Sequence, residues 1–217
     1  MNNATRAPAG ALLRFHDVRK AYGRRPVLRG VSLDVPRGCL LGIVGANGAG
    51  KSTLLRILAG QAAGDSGTVQ RRGRIGYCPQ NTVLHPAFTV AEHVRSFQTA
   101  YRLESCARAW ELLEELGFDE SPRSRMHTLS GGTRQKLNLA LGLMHDPEVL
   151  LLDEPYQGFD WETYLRFWDV AQGLRERGRA VVVVSHLAYD RERLDVLYQL
   201  QDGVLAADHS SAAGRAA

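Results

Sequence analysis

A chain of 217 residues, 44% apolar and 23% charged, can build one substantial core with a small satellite, but not two full domains, and it is too apolar to be wholly disordered. Twenty-seven lysines and arginines against 23 aspartates and glutamates leave a net charge of +4, which permits an anionic ligand without demanding DNA. The longest aliphatic runs, residues 149–152 and 180–184, fall far short of the ~20 residues of a membrane-spanning helix, and residues 1–10 lack the apolar stretch of a secretory leader.

In chain order, Val31, Leu33 and Val35 alternate with polar neighbours as in a half-exposed strand. Pro36-Arg37-Gly38 turns the chain, and residues 39–44 form a continuous apolar run, the pattern of a strand buried on both faces. Gly45-Ala46-Asn47-Gly48-Ala49-Gly50-Lys51-Ser52-Thr53 then fits G-x-x-x-x-G-K-[ST]. It opens a helix over 51–59, with Leu54, Leu55 and Leu58 at helical spacing and Gly60 where a C-terminal cap belongs. Such a loop curls successive N–H groups onto phosphate oxygens and adds the positive end of a helix dipole. Lys51 reaches the terminal phosphates and the Ser52 hydroxyl is a Mg²⁺ ligand. Alone, the motif says nucleoside triphosphate and no more.

Residues 86–128 read differently. Thr89 with Glu92 is a capping-box pattern, followed by Val90, Val94, Phe97 and Tyr101 on one helical face. A second helix is expected near 106–116, with Trp110, Leu113 and Leu116 on one side and Gly117 after it. Two helices with no strand between them read as a helical subdomain inserted beside an α/β core. Cys39, Cys78 and Cys106 have no metal-ligand spacing and are expected as buried, reduced thiols.

Leu129-Ser130-Gly131-Gly132 opens another helix, marked by Leu137, Leu141 and Met144. It is either a second anion-binding helix start or a plain serine cap. One nucleotide cannot easily use both glycine turns, whereas two chains facing head to tail could. The buried strand 149–152 runs into Asp153-Glu154-Pro155. Asp153 is placed to hold Mg²⁺ through its water shell, and Glu154 to orient or deprotonate an attacking water. Acids ahead of proline also start helices, but beside the 45–53 loop the catalytic reading dominates. The strand 180–184 ends at Ser185-His186, which a parallel sheet brings to the same edge.

Together these motifs make the chain resemble the ATP-binding subunit of ATP-binding cassette (ABC) transporters. The resemblance implies an α/β fold: a P-loop NTPase core with a mainly parallel central sheet, an antiparallel β portion near the N-terminus and an inserted α-helical subdomain. The cassette would span 12–206, with the core at 12–85 and 129–206, the subdomain at 86–128, and flexible ends at 1–11 and 207–217. Tyr22 matches the aromatic that stacks on adenine. Gly45, Asn47, Gly48, Ala49, Gly50, Lys51, Ser52 and Thr53 match the Walker A loop. Gln80, in Tyr77-Cys78-Pro79-Gln80, matches the glutamine loop, which touches Mg²⁺ and meets the membrane partner. Ser130, Gly131 and Gly132 match the signature, residues 149–154 Walker B, Asp160 in Gly158-Phe159-Asp160 the D-loop, and His186 the switch histidine.

The resemblance further implies ATP hydrolysis with Glu154, His186 and Lys51 as the catalytic residues and Mg²⁺ on Ser52, Gln80 and Asp153. Two copies would sandwich two ATP molecules, each between the Walker A loop of one and Ser130–Gly132 of the other. The partners implied are that second ATPase subunit and a separate transmembrane permease, met on the cytoplasmic face of the cell membrane. Phe88-Thr89-Val90-Ala91-Glu92-His93-Val94 resembles the corresponding stretch of bacterial exporters. Three positions depart from the family pattern: Thr133 for glutamine, Tyr156 for threonine or serine, and Phe159 for leucine. The alternative, a soluble ABC-type ATPase on nucleic acid or ribosomes, lacks the long heptads or second cassette that such members carry. The basic clusters at 19–25 and 71–74 are expected as solvated surface rather than a nucleic-acid contact. A sensor that binds ATP without turnover is opposed by intact Glu154 and His186.

Overall fold

The computed structural model describes residues 10–81, 84–186 and 191–208. The expected flexible ends fall mostly on residues 1–9 and 209–217, outside the described residues; Ala11 and Ala207 belong to strands.

The chain begins with two long strands, β1 (Ala11–Tyr22) and β2 (Arg25–Pro36), paired antiparallel. Strand β3 (Leu40–Val44) leads into helix α1 (Lys51–Leu58), followed by β4 (Ser66–Arg71) and β5 (Ile75–Cys78). Helices α2 (Val90–Ala100), α3 (Ala107–Glu115) and α4 (Gly131–Leu143) come next. The remainder alternates: β6 (Val149–Asp153), α5 (Trp161–Glu176), β7 (Ala180–Ser185), β8 (Val196–Gln201) and β9 (Val204–Ala207).

Among the described residues the strands form two sheets. The smaller, in the order β2-β1-β4, is antiparallel. The larger runs β5-β6-β7-β3-β8-β9 and is parallel apart from β9. The central strands of the larger sheet are buried on both faces, which is why β3, β6 and β7 read as unbroken apolar runs. Leu41, Ile43, Leu151 and Val182 point toward α1 and the antiparallel sheet. Leu40, Leu150, Leu152, Val181 and Val183 point to the other side, against α4 and α5.

Helices α2 and α3 pack on α4 and share its apolar cluster. The Thr89 cap forms as expected: its hydroxyl accepts from Glu92 N–H while Glu92 carboxylate accepts from Thr89 N–H. The inward face of α3 includes the expected Leu113 and Leu116 and is broader than expected. Ala109, Leu112, Leu113 and Leu116 are buried, whereas Trp110 lies at the rim, half-buried. Trp110 packs against the same cluster from that rim. Cys39 and Cys78 are buried, and burial pushes their thiols up to about 11 and about 12, so both stay protonated.

Because β3, β5, β6 and β7 are parallel and in register, their carboxyl ends share one edge. Val44 pairs with Ser185, Asp153 with Val184, and Cys78 with Leu152. The loops leaving this edge carry residues 45–50, Gln80, Glu154 and His186.

Candidate functional site

At the end of β3 the chain passes so close to β8 that a side chain at Gly45 would sit 2.3 Å from the Leu200 carbonyl oxygen. The turn closes at Gly50, whose φ of 104° is left-handed backbone that glycine adopts without strain. Helix α1 starts there with no side-chain cap and no acid in its first turn. Its leading N–H groups and the positive end of its dipole therefore face outward, unsatisfied. Lys51 is buried at 7% exposure and donates to the Gly45 and Ala46 carbonyls at 2.7 and 3.1 Å. An ammonium folded back onto neutral acceptors, beside an uncapped helix, is a site built for an anion.

A cavity of about 540 Å³ opens in front of this turn. Asn47, Gly48, Gly50, Lys51, Ser52 and Thr53 line one side, and Gln80, Asp153 and Glu154 the other. Tyr22, 51% exposed, stands at the mouth as a flat apolar face. Asp153 is buried and accepts a hydrogen bond from Ser52. Burial raises its carboxyl above the ordinary value, against the pull of that hydrogen bond and of Lys51. Glu154 is buried, with its N–H donated to the Val184 carbonyl at 2.9 Å. Its φ of 50° is unusual for a residue with a side chain. His186 Nδ1 lies 3.0 Å from Glu154 Oε2, within hydrogen-bonding distance of the carboxylate.

Ser52, Gln80 and Asp153 offer only hard oxygen donors and a single carboxylate, which suits Mg²⁺ shared with phosphates and water. Among the described residues no group of three or more His, Cys, Asp or Glu forms a closed metal cage.

Ser130, Gly131, Gly132 and Asp160 lie outside this cavity. Ser130 caps α4, accepting from Thr133 N–H at 3.0 Å, and its hydroxyl lies 2.8 Å from that of Thr133. Asp160 caps α5 by accepting from Thr163 N–H at 2.7 Å, which holds its carboxyl below the ordinary range. The two turns touch: a side chain at Gly132 would meet the Gly158 carbonyl oxygen at 2.5 Å. Tyr156 and Phe159 turn inward onto Phe167, and Trp161, 70% exposed, stacks on Tyr164.

Sequence reasoning missed Arg25 and Val27, which also line the cavity. The hairpin between β1 and β2 brings them back beside Tyr22, and that pairing was the available signal. The basic clusters are largely tied down: Arg19 to Asp17, Lys20 to Asp65, Arg74 to Glu148, and Arg71 to the Ile57 and Leu58 carbonyls.

A sequence profile described as ABC transporter matches residues 28–157. The linearmycin resistance ATP-binding protein LnrL of Bacillus subtilis (strain 168) is 32% identical over 198 residues, 84% of this chain and 64% of that protein. The Nod factor export ATP-binding protein I of Paraburkholderia xenovorans (strain LB400) is 35% identical over 199 residues, 85% of this chain and 66% of that protein. The chain thus spans less than two thirds of the length of these curated relatives. The dimeric structure of a bacterial ABC transporter cassette superposes with a TM-score of 0.81 at 26% identity, covering 89% of this chain and 96% of that one.

Proposed function

Since the chain belongs to the ABC transporter family, we propose that it is an ATP-hydrolysing motor subunit that drives a separate membrane-spanning partner. One observation carries the reading: the uncapped start of α1 with buried Lys51 shares a cavity with Asp153 and Glu154, and His186 is hydrogen bonded to Glu154.

In this reading Tyr22 stacks on adenine. The N–H groups of Gly48–Thr53 and the Lys51 ammonium hold the triphosphate. Ser52, Gln80 and Asp153 hold Mg²⁺, which when bound draws negative charge off the phosphates. Glu154 orients a water and takes its proton as the oxygen attacks the γ-phosphorus. The bond from that phosphorus to the bridging oxygen of ADP breaks, giving ADP and phosphate. His186, fixed by its bond to Glu154, holds a γ-phosphate oxygen. Ser130, Gly131, Gly132 and Asp160 serve the nucleotide of a second copy, whose Walker A loop they face. The segment 86–128 is the helical subdomain that, with Gln80, meets the permease at the cytoplasmic face of the membrane. Export is the preferred direction, because the Nod factor relative is named for it and the 88–94 stretch resembles exporters. No helix among the described residues is long and apolar enough to cross a membrane, so the permease is a separate requirement of this reading.

The test is Glu154→Gln. It is expected to bind Mg-ATP within about twofold of the unaltered chain and to lose turnover by on the order of a hundredfold or more. It should also accumulate as an ATP-dependent dimer on size exclusion. A variant that hydrolyses at the normal rate would remove Glu154 from the mechanism.

A further inference from the structure

Helix α4 buries two carboxamides in an otherwise apolar run, Gln135 at 4% and Asn138 at 8% exposure. Buried amides are normally hydrogen bonded, and the partners of these two are unusual. Gln135 Nε2 donates to the Pro155 carbonyl at 3.0 Å. Asn138 Nδ2 donates to the Pro79 carbonyl at 3.2 Å and to Gln135 Oε1 at 3.4 Å. The two carbonyls occupy matching places: Pro79 precedes Gln80, Pro155 follows Glu154, and both leave the ends of the adjacent parallel strands β5 and β6. Proline has no N–H, so its carbonyl is the only backbone group through which each residue can be hydrogen bonded. Neither carboxamide lines the cavity, whereas Gln80 and Glu154 both do.

We propose that Gln135 and Asn138 are positioning residues, a two-amide relay that sets the spacing of Gln80 and Glu154 across the cavity. The inference rests on the hydrolase reading above. Two neighbouring loops leaving a sheet edge are free to splay. Here each is held to the same rigid helix, with the two holders joined to each other. That helix starts at Ser130, so the residue that would meet a second copy's triphosphate and the residues that would act on this chain's own are fixed to one body. An apolar pair would remove the donors from the buried Pro155 carbonyl and the part-buried Pro79 carbonyl, and would no longer tie the two loops to one helix.

Asn138→Leu keeps the branched outline of the side chain, with somewhat more bulk, and removes both donated bonds. Nucleotide affinity, set by the Walker A loop, is expected to stay within about twofold. The turnover number is expected to fall by roughly tenfold to a hundredfold, the scale of a small misplacement of reacting groups. The Mg²⁺ concentration giving half-maximal rate should rise, because Gln80 moves off its place. Gln135→Met, which keeps a long flexible side chain without the donor, should give the same split if Asn138→Leu does not fold. A folded variant with turnover and Mg²⁺ dependence within twofold of the unaltered chain would overturn the inference. So would failure of both variants to fold, which would assign the pair to stability alone. Absence of turnover in the unaltered chain would instead overturn the hydrolase reading, and the inference with it.

Discussion

Asp153 and Glu154 are consecutive, both buried, and under different constraints. Glu154 sits at φ 50°, a conformation that costs a residue with a side chain on the order of 1–2 kcal/mol. The bond from its N–H to Val184 and the contact with His186 hold it there. Asp153 has an electrostatic cost instead. Burial raises its carboxyl, so the folded chain binds that proton more tightly than the unfolded chain does. The stability this supplies is fully present below the unfolded value, about 3.9, and is lost as pH rises through the raised folded value. At neutral pH, without metal, the ionised carboxylate therefore opposes folding. Asp153→Asn is expected to melt at a higher temperature than the unaltered chain at pH 7 in the absence of nucleotide and Mg²⁺, and to lose Mg²⁺-dependent turnover. The melting difference should vanish in acid. A lower melting point at pH 7 would mean that Ser52 and Lys51 outweigh burial. Asp153 and Glu154 were readable in the sequence because they end an unbroken apolar strand, and Lys51 and Ser52 because backbone geometry fixes the spacing of a phosphate loop. Arg25 and Asn138 were not, because their places depend on strand pairing and helix rotation.

Among the elements, legibility followed burial. β3, β6 and β7 are covered on both faces and wrote themselves as apolar runs. β4 left no pattern, since nearly all its side chains are exposed. β1 is long, but register shifts between Phe15 and Val18, with Asp17 at φ 48°, break its alternation. The apolar face of α3 was legible in part: Leu113 and Leu116 are buried and Trp110 packs at the rim of the same cluster, while the equally buried Ala109 and Leu112 carried no such signal. The start of α2 was legible because a capping box is a local device. Its hydroxyl accepts from the Glu92 N–H, and the hydrogen bonds donated by the Thr89 N–H and hydroxyl keep the Glu92 carboxylate below its ordinary range. Thr89→Ala should lower stability by about 1 kcal/mol, read from the urea midpoint at unchanged slope. A midpoint that does not move would mean that the bond from Val90 N–H to the Ser124 carbonyl already fixes this helix start.

At the scale of the molecule, one sheet edge collects the catalytic candidates, while the second glycine turn lies apart on α4 and touches the loop at Gly158. That separation is what the proposed head-to-tail pairing resolves. It also leaves a built-in reporter. Of the three tryptophans, Trp168 is 2% exposed, Trp110 is half-buried, and Trp161 is 70% exposed directly after Asp160. Trp161 should therefore give the lone chain's emission a red-shifted component that acrylamide quenches readily. ATP-driven assembly of the Glu154→Gln chain is expected to shift that emission to the blue and shield it from the quencher, with no label attached. If dimers form while the spectrum and its quenching stay unchanged, the subunits have met on some other surface.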